Sequence, residues 1–101
     1  MTATKRKPAS DLLESAKKVL RIEVEGLHAL SNSLDETFNR TLGLLSAMKG
    51  RAVVTGMGKS GHIAHKIAAT MASTGTPAFF VHPGEASHGD LGMITAGDVV
   101  I

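Results

Sequence analysis

The sequence predicts an α/β domain, in which a helical hairpin over residues 11–49 leads into a parallel sheet flanked by helices. Three observations carry this reading. Apolar residues recur at helical spacing through the first half of the chain. The period then changes to two short apolar runs without polar alternation, at residues 52–55 and 78–81, as strands show when both faces are covered. Between those runs, three glycines break the chain immediately before another helical stretch. At 101 residues there is room for one domain, of a size that buries about two-thirds of its unfolded surface.

Residues 1–10, with Lys5, Arg6 and Lys7, read as a disordered basic arm. Asp11 and Glu14 have the spacing of a capping box, and Leu13, Ala16, Leu20, Val24 and Leu27 follow on one helical face. Ser33 and Glu36 repeat the start signal ahead of Leu34, Phe38, Leu42, Leu45 and Met48, and Gly50 stands where that helix should stop. Ala52–Thr55 reads as a buried strand. In the helix after it, Ile63, Ile67 and Met71, flanked by Ala64 and Ala68, mark the apolar face, and His62, His65, Lys66 and Ala69 the polar one. Thr74–Pro77 ends the helix, and Ala78–Val81 completes a β-α-β unit over residues 52–81. A loop rich in potentially reactive groups, residues 82–90, comes next, and Asp98–Ile101 reads as a third strand that has only begun.

Composition narrows the function. Residues 1–50 hold eight Lys/Arg against six Asp/Glu and residues 51–101 three against three, so the half that bears the motifs is neutral. A neutral surface argues against general nucleic-acid binding, which needs many phosphate-neutralising cations. The absence of cysteine excludes disulfides and thiolate chemistry. No run approaches the roughly 20 apolar residues of a membrane span. Polar residues Ser10, Asp11, Glu14, Lys17 and Lys18 interrupt any signal-peptide core behind the basic arm.

The stretch Val53-Val54-Thr55-Gly56-Met57-Gly58-Lys59-Ser60-Gly61-His62 reads as strand, tight turn and helix, a geometry that brings backbone N–H groups to an anion. It is not a Walker loop, because Val53 stands where that motif needs its first glycine. Gly56, Gly58 and Gly61 do satisfy the dinucleotide pattern. The acidic residue expected about 20 positions later is missing, however: Val81 and His82 stand there, which weakens an oxidoreductase reading. In a parallel unit the loops at 56–61 and 82–90 both emerge at the carboxyl ends of the strands, where ligands bind. His82, Glu85, His88 and Asp90 are there available to orient hydroxyls, relay protons or hold a divalent ion. His62 and His65, with no acidic third ligand nearby, read as solvated.

Taken together, Gly56-Met57-Gly58-Lys59-Ser60-Gly61-His62, Ser73-Thr74-Gly75-Thr76-Pro77 and Val81-His82-Pro83-Gly84-Glu85-Ala86-Ser87-His88-Gly89-Asp90-Leu91-Gly92-Met93 closely resemble sugar isomerase (SIS) domains of the arabinose 5-phosphate isomerase family. The resemblance runs from about Leu12 to Ile101. It implies a flavodoxin-like or Rossmann-like three-layer fold, of which residues 11–101 form the N-terminal part, and interconversion of D-ribulose 5-phosphate and D-arabinose 5-phosphate for Kdo and lipopolysaccharide or capsule biosynthesis. It implies a cytoplasmic homotetramer; that no nucleic acid or membrane is a partner is expected from the charge balance and the lack of an apolar span.

Carried over residue by residue, Lys59 matches a catalytic lysine, Gly75, Thr76, His82 and His88 match substrate contacts, and His82 also matches a position able to hold zinc. No cofactor is required by the chemistry so implied. The family's Ser-rich phosphate loop, further acid-base residues and tandem CBS module come after the third strand, so the resemblance leads one to expect a truncated domain, inactive alone. A non-catalytic sugar-phosphate-binding module is the alternative, although the hairpin lacks the three-helix pattern of a DNA-binding regulator.

Overall fold

The computed structural model describes Arg6 and residues 8–101, and the chain divides between Phe38 and Asn39 into two compact units. Most of the predicted arm therefore lies outside the described residues. In the first unit, α1 (Ala9–Ser33) begins two residues earlier than the spacing suggested. Its cap is Pro8, whose carbonyl accepts from the N–H groups of Asp11 (3.0 Å) and Leu12 (3.1 Å). Asp11 is thus a first-turn residue, its charge facing the positive end of the helix dipole, and the expected capping box does not form.

The second helix, α2 (Glu36–Ala47), also takes a different cap. Ser33 turns back to donate to Leu30 O at 2.7 Å, and Asp35 receives the backbone N–H of Thr37 at 2.9 Å and its hydroxyl at 2.5 Å. Those two bonds, the hydroxyl first, hold the Asp35 carboxyl below its ordinary value.

In the second unit, β1 (Ala52–Thr55), α3 (Lys59–Ser73) and β2 (Ala78–Val81) form the predicted β-α-β unit. A short helix α4 (Pro83–Ala86), a 3₁₀ turn (Asp90–Met93) and β3 (Val99–Val100) follow. The strands are parallel in the order β2-β1-β3, with Ala52 opposite Ala78 and Val99 and Thr55 opposite Val81. The chain leaves β1 for a neighbour on one side and then returns to the other side, which places a topological switch point at the carboxyl end of β1.

The core is small. Ala52, Val53 and Val54 are buried in the central strand, and Val54 packs with Ala64, Ala68, Ala78 and Phe80. Here the expected apolar face of α3 is corrected. Gly61, Ala64 and Ala68 are the buried positions, whereas Ile63 is 63% exposed and Ile67 39%. Small residues let the helix backbone approach the sheet closely, and the bulkier β-branched side chains lie off that contact line.

The amino end of β1 is tied to the segment before β3. Asp98 accepts the Arg51 N–H at 2.6 Å through Oδ1 and the Thr95 N–H at 2.7 Å through Oδ2, and Gly50 N–H donates to Gly97 O at 2.8 Å. The bonds from Arg51 and then Thr95 hold the Asp98 carboxyl below its ordinary value. Because the folded-state value is depressed, the stabilisation is present above the unfolded value and is lost as pH falls through the folded one. Asp98→Asn, which keeps the shape but not the charge, is therefore expected to lower the Tm at neutral pH. The gap to wild type, followed by thermal unfolding, should close as pH is taken below the ordinary aspartate range and the wild-type carboxyl is protonated. A gap independent of pH would remove the carboxylate from this role.

Candidate functional site

The site begins where β1 ends. Thr55 Oγ1 donates to Val81 O at 2.5 Å and pins the carboxyl ends of β1 and β2 together. Beyond Thr55 the chain turns through Gly56-Met57-Gly58 into α3, with Gly58 at φ 58° and ψ −127°, a conformation open to glycine. The turn lies directly on the first turn of the helix. A Cβ on Gly61 would stand 2.6 Å from Gly56 O, and one on Gly56 would stand 2.9 Å from the Ser60 carbonyl. Both obstacles are backbone atoms, so the approach requires glycine at each position.

An open cleft of about 230 Å³ lies against this turn, walled by Gly56, Gly58 and Gly61 on the backbone side and by His62, His65, Phe80 and His82. The imidazole of His65 stacks on Phe80, with ring centroids 3.7 Å apart and planes inclined by 32°. His62 and His65 are exposed, as expected, but they are not merely solvated: they line the cleft. The spacing Gly61-His62-Ala64-His65 was the available signal, since the two histidines flank the small-residue face that meets the sheet.

His82 occupies the end of β2 and caps α4, its Nδ1 accepting the Gly84 N–H at 2.9 Å. The remaining site candidates fall into two groups. Lys59 is the first residue of α3, and His88 follows α4 with its N–H donated to Glu85 O at 3.0 Å; both are exposed. They belong to segments leaving the carboxyl ends of β1 and β2, although neither lines the cleft.

Gly75 and Thr76 lie at the other end of the strands. Gly75 follows α3 at φ 102°, Thr76 N–H donates to Met71 O at 2.9 Å, and the next residue, Pro77, accepts from Ala52 N–H at 2.9 Å. A four-residue strand, roughly 13 Å at 3.3 Å per residue, separates them from the cleft. One copy of this chain does not bring Gly75 and Thr76 to the same site as His82.

The hydrogen bond at His82 works against the expected zinc position. A backbone N–H can only donate, so Nδ1 of His82 has no proton; in the neutral ring Nε2 carries it and has no lone pair for a metal. Among the described residues no group of three or more His, Asp or Glu is arranged to hold a metal ion. Among them, too, no helix is long and apolar enough to cross a membrane.

The SIS domain model matches residues 44–101. Arabinose 5-phosphate isomerase KdsD of Yersinia pestis is 60% identical over 94 residues, covering 93% of this chain and 29% of that protein. The Escherichia coli K12 enzyme of the same name is 52% identical over 101 residues, 100% of this chain and 31% of its own length. The chain thus spans about 30% of the length of these curated relatives. Among solved structures, an E. coli CFT073 protein in complex with arabinose 5-phosphate superposes with a TM-score of 0.87 at 44% identity, over 93% of this chain and 50% of that one.

Proposed function

We propose, from the premise that this chain belongs to the SIS domain family, that its cleft receives a sugar phosphate and that the protein interconverts D-ribulose 5-phosphate and D-arabinose 5-phosphate. The observation that carries the reading is the cleft itself: a glycine turn and three histidines at the carboxyl edge of a parallel sheet, in a fold shared with a protein solved with arabinose 5-phosphate bound.

Aldose-ketose isomerisation moves one proton between C1 and C2 through an enediol, while a second proton is exchanged between the two oxygens. Positive or hydrogen-bonding groups must face the oxygen on which charge develops. Lys59 is the one cation in the turn, and its flexible side chain serves that oxygen once substrate is seated. His82 and His88 orient hydroxyls. Gly75 and Thr76, at the far end of the strands, serve as substrate contacts only if a second copy supplies them, which accords with a homotetramer. In this reading the protein works in the cytoplasm, on the route to Kdo and lipopolysaccharide.

The full-length protein incubated with D-arabinose 5-phosphate in D₂O is expected to form D-ribulose 5-phosphate carrying solvent deuterium, read by NMR. Binding without conversion would make the domain a sugar-phosphate-sensing module. Neither binding nor conversion would overturn the reading.

A further inference from the structure

The hydrogen bond that caps α4 also decides what His82 offers to the cleft. Its donor is the main-chain N–H of Gly84, a group that neither reverses nor accepts, at 2.9 Å from Nδ1. The ring edge carrying Nδ1 and Cε1 is held close to that residue: a Cβ on Gly84 would stand 3.0 Å from Nδ1 and 3.1 Å from Cε1. Of the two ring nitrogens, Nε2 is the one left for a ligand, and His82 is among the residues that line the cleft. His65, also in the lining, has its ring stacked on Phe80.

We propose that Gly84 is a positioning residue that fixes His82 in the Nε2–H tautomer, so that the histidine meets a ligand as a hydrogen-bond donor to oxygen, and not as a proton acceptor or a metal ligand through Nε2. The orientation of a histidine's chemistry by the bond at its other nitrogen is general. In this chain that bond comes from the backbone, so no change of protonation elsewhere alters it. Taken with the sugar-phosphate reading, on which this part of the inference rests, the acceptor is a carbonyl or hydroxyl oxygen of the open-chain sugar.

Two measurements on the full-length protein test this. The first needs no ligand: ¹⁵N-histidine NMR at about pH 8, above the ordinary histidine range, with the His82 signals assigned by their loss in His82→Asn. A protonated Nε2 beside an unprotonated Nδ1 is expected. An Nδ1–H tautomer, or an average of the two, overturns the proposal.

The second measurement separates the two nitrogens by substitution. Asparagine places an oxygen where Nδ1 was and is a good cap, whereas glutamine carries an amide donor out to the position of Nε2. His82→Asn should keep the wild-type Tm yet bind D-arabinose 5-phosphate about tenfold more weakly. His82→Gln should show the opposite pattern, a lowered Tm with affinity kept within about threefold. Equal affinities in the two variants, or the reverse order, would remove the donor role. If wild type itself does not bind the sugar phosphate, the proposed function fails, and the tautomer is decided by the NMR result alone.

Discussion

Gly61→Ala is expected to cost the protein both stability and activity, because the added methyl group meets a wall that cannot move aside. Its Cβ would lie 2.6 Å from Gly56 O and 3.3 Å from Gly56 C. No side-chain rotation relieves a clash with backbone. Restoring ordinary contact requires the turn and the helix to part by roughly 0.8 Å, and displacements near 1 Å at a site typically cost about 10² in rate.

Overpacking of this kind costs about 1–3 kcal/mol, against which alanine returns up to about 1 kcal/mol of helix propensity. A lowered Tm and a kcat/KM reduced about 10²-fold are therefore expected together. The control is Gly43→Ala on α2, where a Cβ would meet nothing within 4 Å; it should leave kcat/KM near wild type and, with only the gain in helix propensity acting, raise the Tm slightly. If the two variants behave alike, the close approach of turn and helix does not matter.

Lys59→Ala should separate activity from stability. A cation on the first residue of a helix opposes the helix dipole, so its removal is expected to leave the Tm unchanged or slightly raised. In the proposed reaction, however, Lys59 faces the oxygen on which charge develops, a contact stronger in the transition state than in the ground state. Steady-state kinetics should then show kcat reduced by about 10²–10³-fold with little change in KM. Lys59→Arg, which keeps the charge but not the compact ammonium, should recover part of the loss. Because Lys59 lies outside the cleft lining, unchanged kinetics would make it an ordinary surface charge.

The β-α-β unit was legible because its signals are local. Glycines at 56 and 58 and the apolar runs beside them produce β1, α3 and β2 within the bounds that the periodicity suggested. What escaped the sequence depends on size and on competition between neighbours. The expected apolar face held Ile63, Ile67 and Met71 with Ala64 and Ala68 beside them, and hydrophobicity favours the larger side chains, yet contact with the sheet buries Gly61, Ala64 and Ala68, which let the backbone come close, and leaves Ile63 and Ile67 exposed and Met71 half-buried.

The same choice of face decided the histidines. Once Gly61 and Ala64 turn inward, His62 and His65 are carried to the rim of the cleft and Phe80 receives the His65 ring. At α2, Ser33 and Asp35 both offer a capping oxygen, and only the nearer one reaches Thr37. The composition of residues 82–90 predicts a loop, but Pro83 and Gly84, which suggest irregular chain, open the short helix that His82 caps.

In the turn after β1, Gly56 and Gly61 meet through their backbones and Gly58 supplies the reversal. Met57 is 71% exposed, and Lys59 and Ser60 also face solvent. Architecture and chemistry are therefore separable within six residues. A protein engineer can rewrite positions 57, 59 and 60 as a small library, changing charge, reach and polarity on the turn beside the cleft while the three glycines keep the scaffold as it is.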